Sequence, residues 1–192
     1  MVTLLDVQLA RLLFPLLAEI ARRGQPVSAQ QLVYLAQAHH RDDRRVGHLN
    51  ALRVPRILTV IMAFANRHEL PDLTRMISVG RAPVSASVLS VQQRCVQIDW
   101  LATLADFNLY GAQLERTHTP AARRPREAAT QLMSEFYLAH REPYAKAMRY
   151  FREVIIDNIV NGMEVEQAFE IEARLLEPTA PTMIDVRRRP GQ

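Results

Sequence analysis

A mainly α-helical chain with one short extended stretch is what this sequence predicts, on three observations. Apolar residues recur at helical spacing over most of the 192 residues. Capping and stop signals cut those runs into segments of ordinary helix length. The exception is Leu73 to Val79, short, partly β-branched and closed by Gly80, which has the pattern of a strand.

Taken in order, Thr3 and Asp6 have capping-box spacing, and Leu5, Leu9, Leu12, Leu16 and Ile20 follow on one helical face up to Gly24. Pro15 inside that run predicts a kink or a division, because proline lacks the amide donor and its ring crowds the preceding turn. Ser28 and Gln31 repeat the capping-box spacing at the start of a second helix. Asp42 or Asp43 is placed to cap a third, from Arg44 to about Leu52. That segment puts Val46, Leu49 and Leu52 on a packing face and Arg44, Gly47, His48 and Ala51 opposite. Pro55 suits the first turn of a longer helix, Arg56 to Arg67, with Ile57, Leu58, Ile61, Phe64 and Ala65 turned inward. Helices followed by a strand in this way have winged-helix order. The second strand of the wing is expected in residues 81 to 89, or is missing.

The second half reads as entirely helical. Val88 to Phe107 predicts one long amphipathic helix with Cys95, Ile98 and Leu101 on a stripe, although VQIDW within it reads equally as extended chain. THTPAARRPR, residues 117 to 126, has no apolar period and is the clearest linker. Helical segments are expected over 125 to 140, 143 to 161 and 164 to 176, with Gly162 suited to a C-terminal cap. The expected division is a winged-helix-like domain over 1–86, a helical interaction region over 87–177 and a flexible basic tail over 178–192.

Composition narrows the class further. With 48% hydrophobic residues the chain has enough apolar surface for a core, which excludes disorder throughout. Its one cysteine, Cys95, has no internal disulfide partner and reads as a small buried apolar residue in a protein of the reducing cytoplasm. No apolar run is long enough for a membrane span, and Asp6, Arg11 and Glu19 break the N-terminal run, so no signal peptide and no membrane partner are expected.

Charge placement says more than the net charge of +4. Residues 1 to 60 hold eight arginines against four acids, whereas 101 to 192 are nearly balanced. A positive N-terminal lobe would concentrate polyanions and give salt-sensitive binding. The expected nucleic-acid contacts are Arg41, Arg44, Arg45, His48 and Arg53, with Arg75 and Arg81 on a wing-like turn.

The blocks GQPVSAQQLVYLA, RRVGHLNA and LPDLTRMISV stand in an order that resembles the DNA-binding domain of O6-alkylguanine-DNA alkyltransferases. Together with an IDW ending at Trp100, they resemble more closely prophage- and plasmid-encoded winged-helix proteins. The resemblance covers about residues 12 to 100. It implies that the RRVGHLNA helix enters a groove of duplex DNA, with Arg44 as a finger into the base stack and Gly47 and Ala51 allowing close approach. Two departures remove the chemistry: Leu73, Thr74, Arg75 and Met76 stand where the alkyltransferases carry Pro-Cys-His-Arg, and Ala29 replaces a tyrosine.

No enzymatic role, metal or cofactor is expected. His39, His40 and His48 near Asp42 and Asp43 match no zinc spacing, and no phosphate loop or nucleophile elbow is present. The expected role is non-enzymatic duplex-DNA binding by a mobile-element accessory or regulatory protein; the alternative is protein–protein interaction or inhibition of a host complex on a winged-helix scaffold without nucleic acid. Tyr144, Met148, Phe151, Ile155 and Ile159 form a stripe that serves either an intramolecular bundle core or a homodimer. The acidic run over 153 to 177 would mimic nucleic acid if it met a host protein.

Overall fold

A computed structural model describes residues 1–78, 85–119 and 123–177. It is mainly helical, with eight α-helices among the described residues and a single pair of two-residue strands.

Helix α1 (Leu4–Arg23) is the centre of the first core. Thr3 and Asp6 close the expected capping box, and Gly24 ends the helix at φ 66°, a left-handed geometry that costs glycine least. The run is not divided at Pro15. Neighbours lie on almost every side of it, so Leu9, Ala10, Leu13, Phe14 and Leu17 are all buried. A helix in that position loses its polar face. Strand β1 (Val27–Ser28) leads into α2 (Ala29–His39), whose Ser28–Gln31 capping box forms as its spacing predicts. A 3-10 turn, Arg44–His48, follows under an Asp43 cap, and α3 (Val54–Arg67) begins with Pro55 in its first turn. A second 3-10 turn (Leu73–Met76) delivers β2 (Ile77–Ser78) to a parallel pairing with β1, Val27 opposite Ile77.

This pairing differs from the expected wing. A wing is an antiparallel hairpin, whereas β1 and β2 are parallel and joined through two helices. Residues 81 to 84 lie outside the described residues, and from Ser85 the chain is already capping α4 (Ala86–Gln97). The long helix expected to Phe107 is broken. The Asp99 carboxylate accepts the amides of Leu101 and Ala102, an Asx turn that competes with helical hydrogen bonding, and Trp100 Nε1 donates to the Cys95 carbonyl at 2.8 Å. The chain re-enters helix as α5 (Leu104–His118).

Both α4 and α5 pack on the first core rather than on the helices after them, so the main break in packing falls after α5 and not at residue 86. Phe14 stacks on Phe107 at 4.0 Å, and Phe64 meets both edge-on, at 5.7 and 5.0 Å. At Gly111 a Cβ would stand 2.7 Å from the Arg11 side chain, so the missing side chain lets α5 approach α1.

The second core belongs to α6 (Arg126–Ala139), α7 (Arg141–Val160) and α8 (Val165–Ala173). Met133, Phe151, Ile155, Ile159 and Phe169 fill it. The stripe on α7 is thus covered by its own chain, the bundle-core alternative of the two its periodicity left open. Leu5 of α1 packs against both cores.

Candidate functional site at residues 41 to 78

The arginine-rich segment is not the helix with two faces that its periodicity implies. After Asp43 the backbone makes only the tighter 3-10 turn, and Leu49 to Arg53 pass through extended and turn geometry before α3 begins. Val46 and Leu49 are buried as expected, but Leu52 is half exposed, because the helical geometry ends at His48 and the turn over 51–53 leaves it off the packing face.

The candidate residues take separate paths. Arg41 and Arg44 are exposed and make no ion pair among the described residues. Arg45 folds back on its own cap: its Nε donates to Asp43 Oδ1 at 2.9 Å and its Nη2 to Asp43 Oδ2 at 2.5 Å. Those hydrogen bonds hold the Asp43 carboxyl below the usual carboxylate range. His48 Nε2 faces Asp157 of α7 at 3.7 Å. Arg75 is held through Nε by Asp72 at 3.2 Å and keeps 55% of its side chain in solvent. Arg81 lies outside the described residues.

Arg53 corrects the expectation outright. Its side chain has no solvent exposure, so it has no face to offer a phosphate. Nη1 donates to Asp6 Oδ1 at 3.3 Å, Nη2 pairs with Glu172 of α8, and the guanidinium lies 5.9 Å above the Phe151 ring. Burial pulls its pKa down, and the fields of Glu172 and Asp6 oppose that pull. Arg56 completes the cluster, bonding Glu172 Oε1 at 3.0 Å and the Ile171 carbonyl at 3.0 Å. Its Nε stands 2.8 Å from Asp6 Oδ2 but is not aligned for a hydrogen bond. Four charges of alternating sign therefore join α1, α3 and α8 where the two cores meet.

Ion pairing, though not burial, extends to most of the basic excess. Of the eight arginines before residue 61, Arg11, Arg22, Arg23, Arg45, Arg53 and Arg56 are in ion pairs. Glu115 and Glu172, partners of three of them, come from beyond residue 100. The acidic run is matched in turn: Arg126 takes Glu153 and Asp157, and Arg124 takes Glu164.

What the segment does build is a groove. A half-open cavity of about 530 Å³ runs along α3, with Ala51, Val54, Pro55, Leu58 and Met62 on its floor. Ser28, Ala29 and Gln30 at the start of α2 and Thr74, Arg75, Ile77 and Ser78 beside them complete its lining. Among the described residues Arg75 is the only charged one lining it. Ala51, expected on a DNA-facing surface, lines this apolar groove instead. A Cβ on Gly47 would meet nothing within 4 Å, so no close approach within the fold requires glycine there.

Leu58 packs against the first core, as its periodicity predicts, and lines the groove as well, which the core-face reading of residues 56 to 67 leaves out. The signal was present in Pro55, Leu58 and Met62, which recur at i, i+3 and i+7 as a second apolar face beside that of Ile57, Ile61 and Phe64.

Cys95 is buried, and burial raises its thiol to about 11, which leaves it protonated and unreactive at neutral pH. Among the described residues no helix is long and apolar enough to cross a membrane, and no three His, Cys, Asp or Glu side chains are grouped to hold a metal ion. Comparisons with protein-family models, with curated proteins and with solved structures find no significant match for this chain.

Proposed function

We propose that this chain is a non-enzymatic protein-interaction module that binds an apolar segment of a partner chain in the groove along α3. The observation that carries this reading is the groove itself, an open, mostly apolar surface with Met62 38% exposed on its floor and one charge on its wall. A concave, mostly apolar lining with few polar groups is the usual form of a binding site.

Duplex-DNA binding is the rival, and one observation favours it: Arg41 and Arg44 are exposed and without an ion pair among the described residues. Two such cations give a weak, salt-sensitive affinity rather than the extended contact set of a specific DNA-binding surface. The rest of the expected set is buried, paired or, for Arg81, outside the described residues.

The two readings separate in one pair of titrations. Wild-type protein, Met62→Glu and the double variant Arg41→Ala/Arg44→Ala are each titrated with a labelled short duplex at low salt and with apolar helical peptides. The proposal expects peptide binding that Met62→Glu removes and the double variant keeps. Duplex binding removed by the double variant, with no peptide bound by any protein, would establish the rival.

A further inference from the structure

We infer that α6 to α8 form a detachable unit, which undocks from the first core as one folded body and is latched there by Glu172. Each core has its own apolar filling. Among the described residues Leu5 is the one apolar side chain packed against both, and the backbone passes between them once, from α5 to α6. Two cores that share so little apolar surface are free to move relative to one another unless something else holds them.

Charge holds them. Asp6, Arg53 and Arg56 face Glu172 across the seam, Asn158 Nδ2 reaches Glu172 Oε1 at 3.4 Å, and His48 stands 3.7 Å from Asp157 nearer the surface. Ions taken out of water lose hydration that their mutual attraction offsets only when the remaining donors and acceptors are satisfied. Here they are not. Arg53 Nε and Arg56 Nε are buried N–H groups without a hydrogen-bond acceptor, a cost that water removes on opening.

Packing along the seam is incomplete as well. A cleft of about 330 Å³ enters it between Val2 and Thr119 on one side and Asn158 and Gln167 on the other, and a second of about 140 Å³ lies between Gln8, Arg44 and Asn161. Atoms that border such clefts lack dispersion partners on one side. Undocking thus rehydrates charge and bares little apolar surface, whereas unfolding exposes Phe14, Phe64 and Phe107 in one core or Ile155 and Phe169 in the other. The seam is the plane of lowest opening energy. Glu172 is its latch, because from α8 it takes the guanidinium groups of both Arg53 and Arg56.

The test reads the seam and the helices separately in the full chain. In a Cys95→Ala background, Leu138→Cys on α6 or Tyr150→Cys on α7, both at exposed positions, carries an acceptor for energy transfer from Trp100, the chain's one tryptophan and part of the first core. Transfer efficiency and far-UV circular dichroism are measured in buffer without denaturant. Glu172→Ala, and the isosteric Glu172→Gln, should lower the transfer while helicity stays at the wild-type level. Glu170→Ala, which breaks only an exposed pair with Arg174, should change neither. Arg53→Met/Glu172→Leu, which makes the seam apolar, should restore the transfer. Unchanged transfer in both Glu172 variants, or an equal loss in Glu170→Ala, overturns the latch. If helicity falls together with transfer in both Glu172 variants, the two cores are one cooperative unit and the detachable body is overturned.

Discussion

Arg53 and Glu172 stand 119 residues apart in sequence, yet their side chains meet in an ion pair with no solvent exposure on either partner. Asp6 flanks Arg53 from the capping box of α1, and Asn158 Nδ2 reaches Glu172 Oε1 at 3.4 Å. An arginine-rich N-terminal lobe is in this way joined to the C-terminal helices by its own charge, and Arg53 and Arg56 are withdrawn from its cationic surface.

Removing one member of the cluster should therefore be costly. Glu172→Ala leaves two guanidinium groups sharing the single carboxylate of Asp6 at the junction of the cores, and a loss of about 3–5 kcal/mol is expected in urea unfolding. The double replacement Arg53→Met/Glu172→Leu, which removes both charges and fills the volume, should recover part of that loss. A single variant within about 1 kcal/mol of wild type, the range of an exposed pair, would contradict the burial described.

Cys95 should resist thiol reagents in the folded protein at pH 8 and react on unfolding in denaturant. Its raised pKa also has a sign for stability. The folded state favours the neutral thiol, so the contribution is fully present below the ordinary thiol value near 9 and is lost as pH rises toward about 11. Comparing wild type with Cys95→Ala across that window reads the difference. Rapid labelling of native protein at pH 8 would place the thiol at the surface.

Asp43 carries the opposite sign. The hydrogen bonds from Arg45 hold its carboxyl low, so its contribution is present above the ordinary aspartate range and is lost as pH falls through the depressed folded value. With Arg45 42% exposed, the pair is worth less than about 1 kcal/mol. Asp43→Asn should accordingly be slightly less stable than wild type near neutrality, and the two should converge in acid. A gap that widens as pH falls would show that the pair contributes differently.

Local signals in the sequence were read correctly where local physics decides. The boxes at Thr3–Asp6 and Ser28–Gln31, the stop at Gly24, Pro55 in the first turn of α3 and the three C-terminal helices all depend on groups within a few residues of one another. Non-local pairing was not legible. Arg53 reads as surface charge until α8 brings Glu172 against it, and the parallel contact of Val27 with Ile77 joins segments fifty residues apart. The break after Cys95 fell between the two: IDW offered extended chain as an alternative, and the Asp99 side chain decided for it. For the candidate site, the sequence marked the right stretch of chain but the wrong property, since guanidinium groups are conspicuous in a sequence and an apolar second face on α3 is not.

The most direct test of the central claim is the binding of apolar helical peptides, set beside that of a short DNA duplex at low salt, to wild-type protein and Met62→Glu. Peptide binding to wild type that Met62→Glu abolishes, with the duplex bound weakly or not at all, is the predicted result. Tight duplex binding that is unchanged in Met62→Glu, falls steeply with salt and is lost in Arg41→Ala/Arg44→Ala would contradict it.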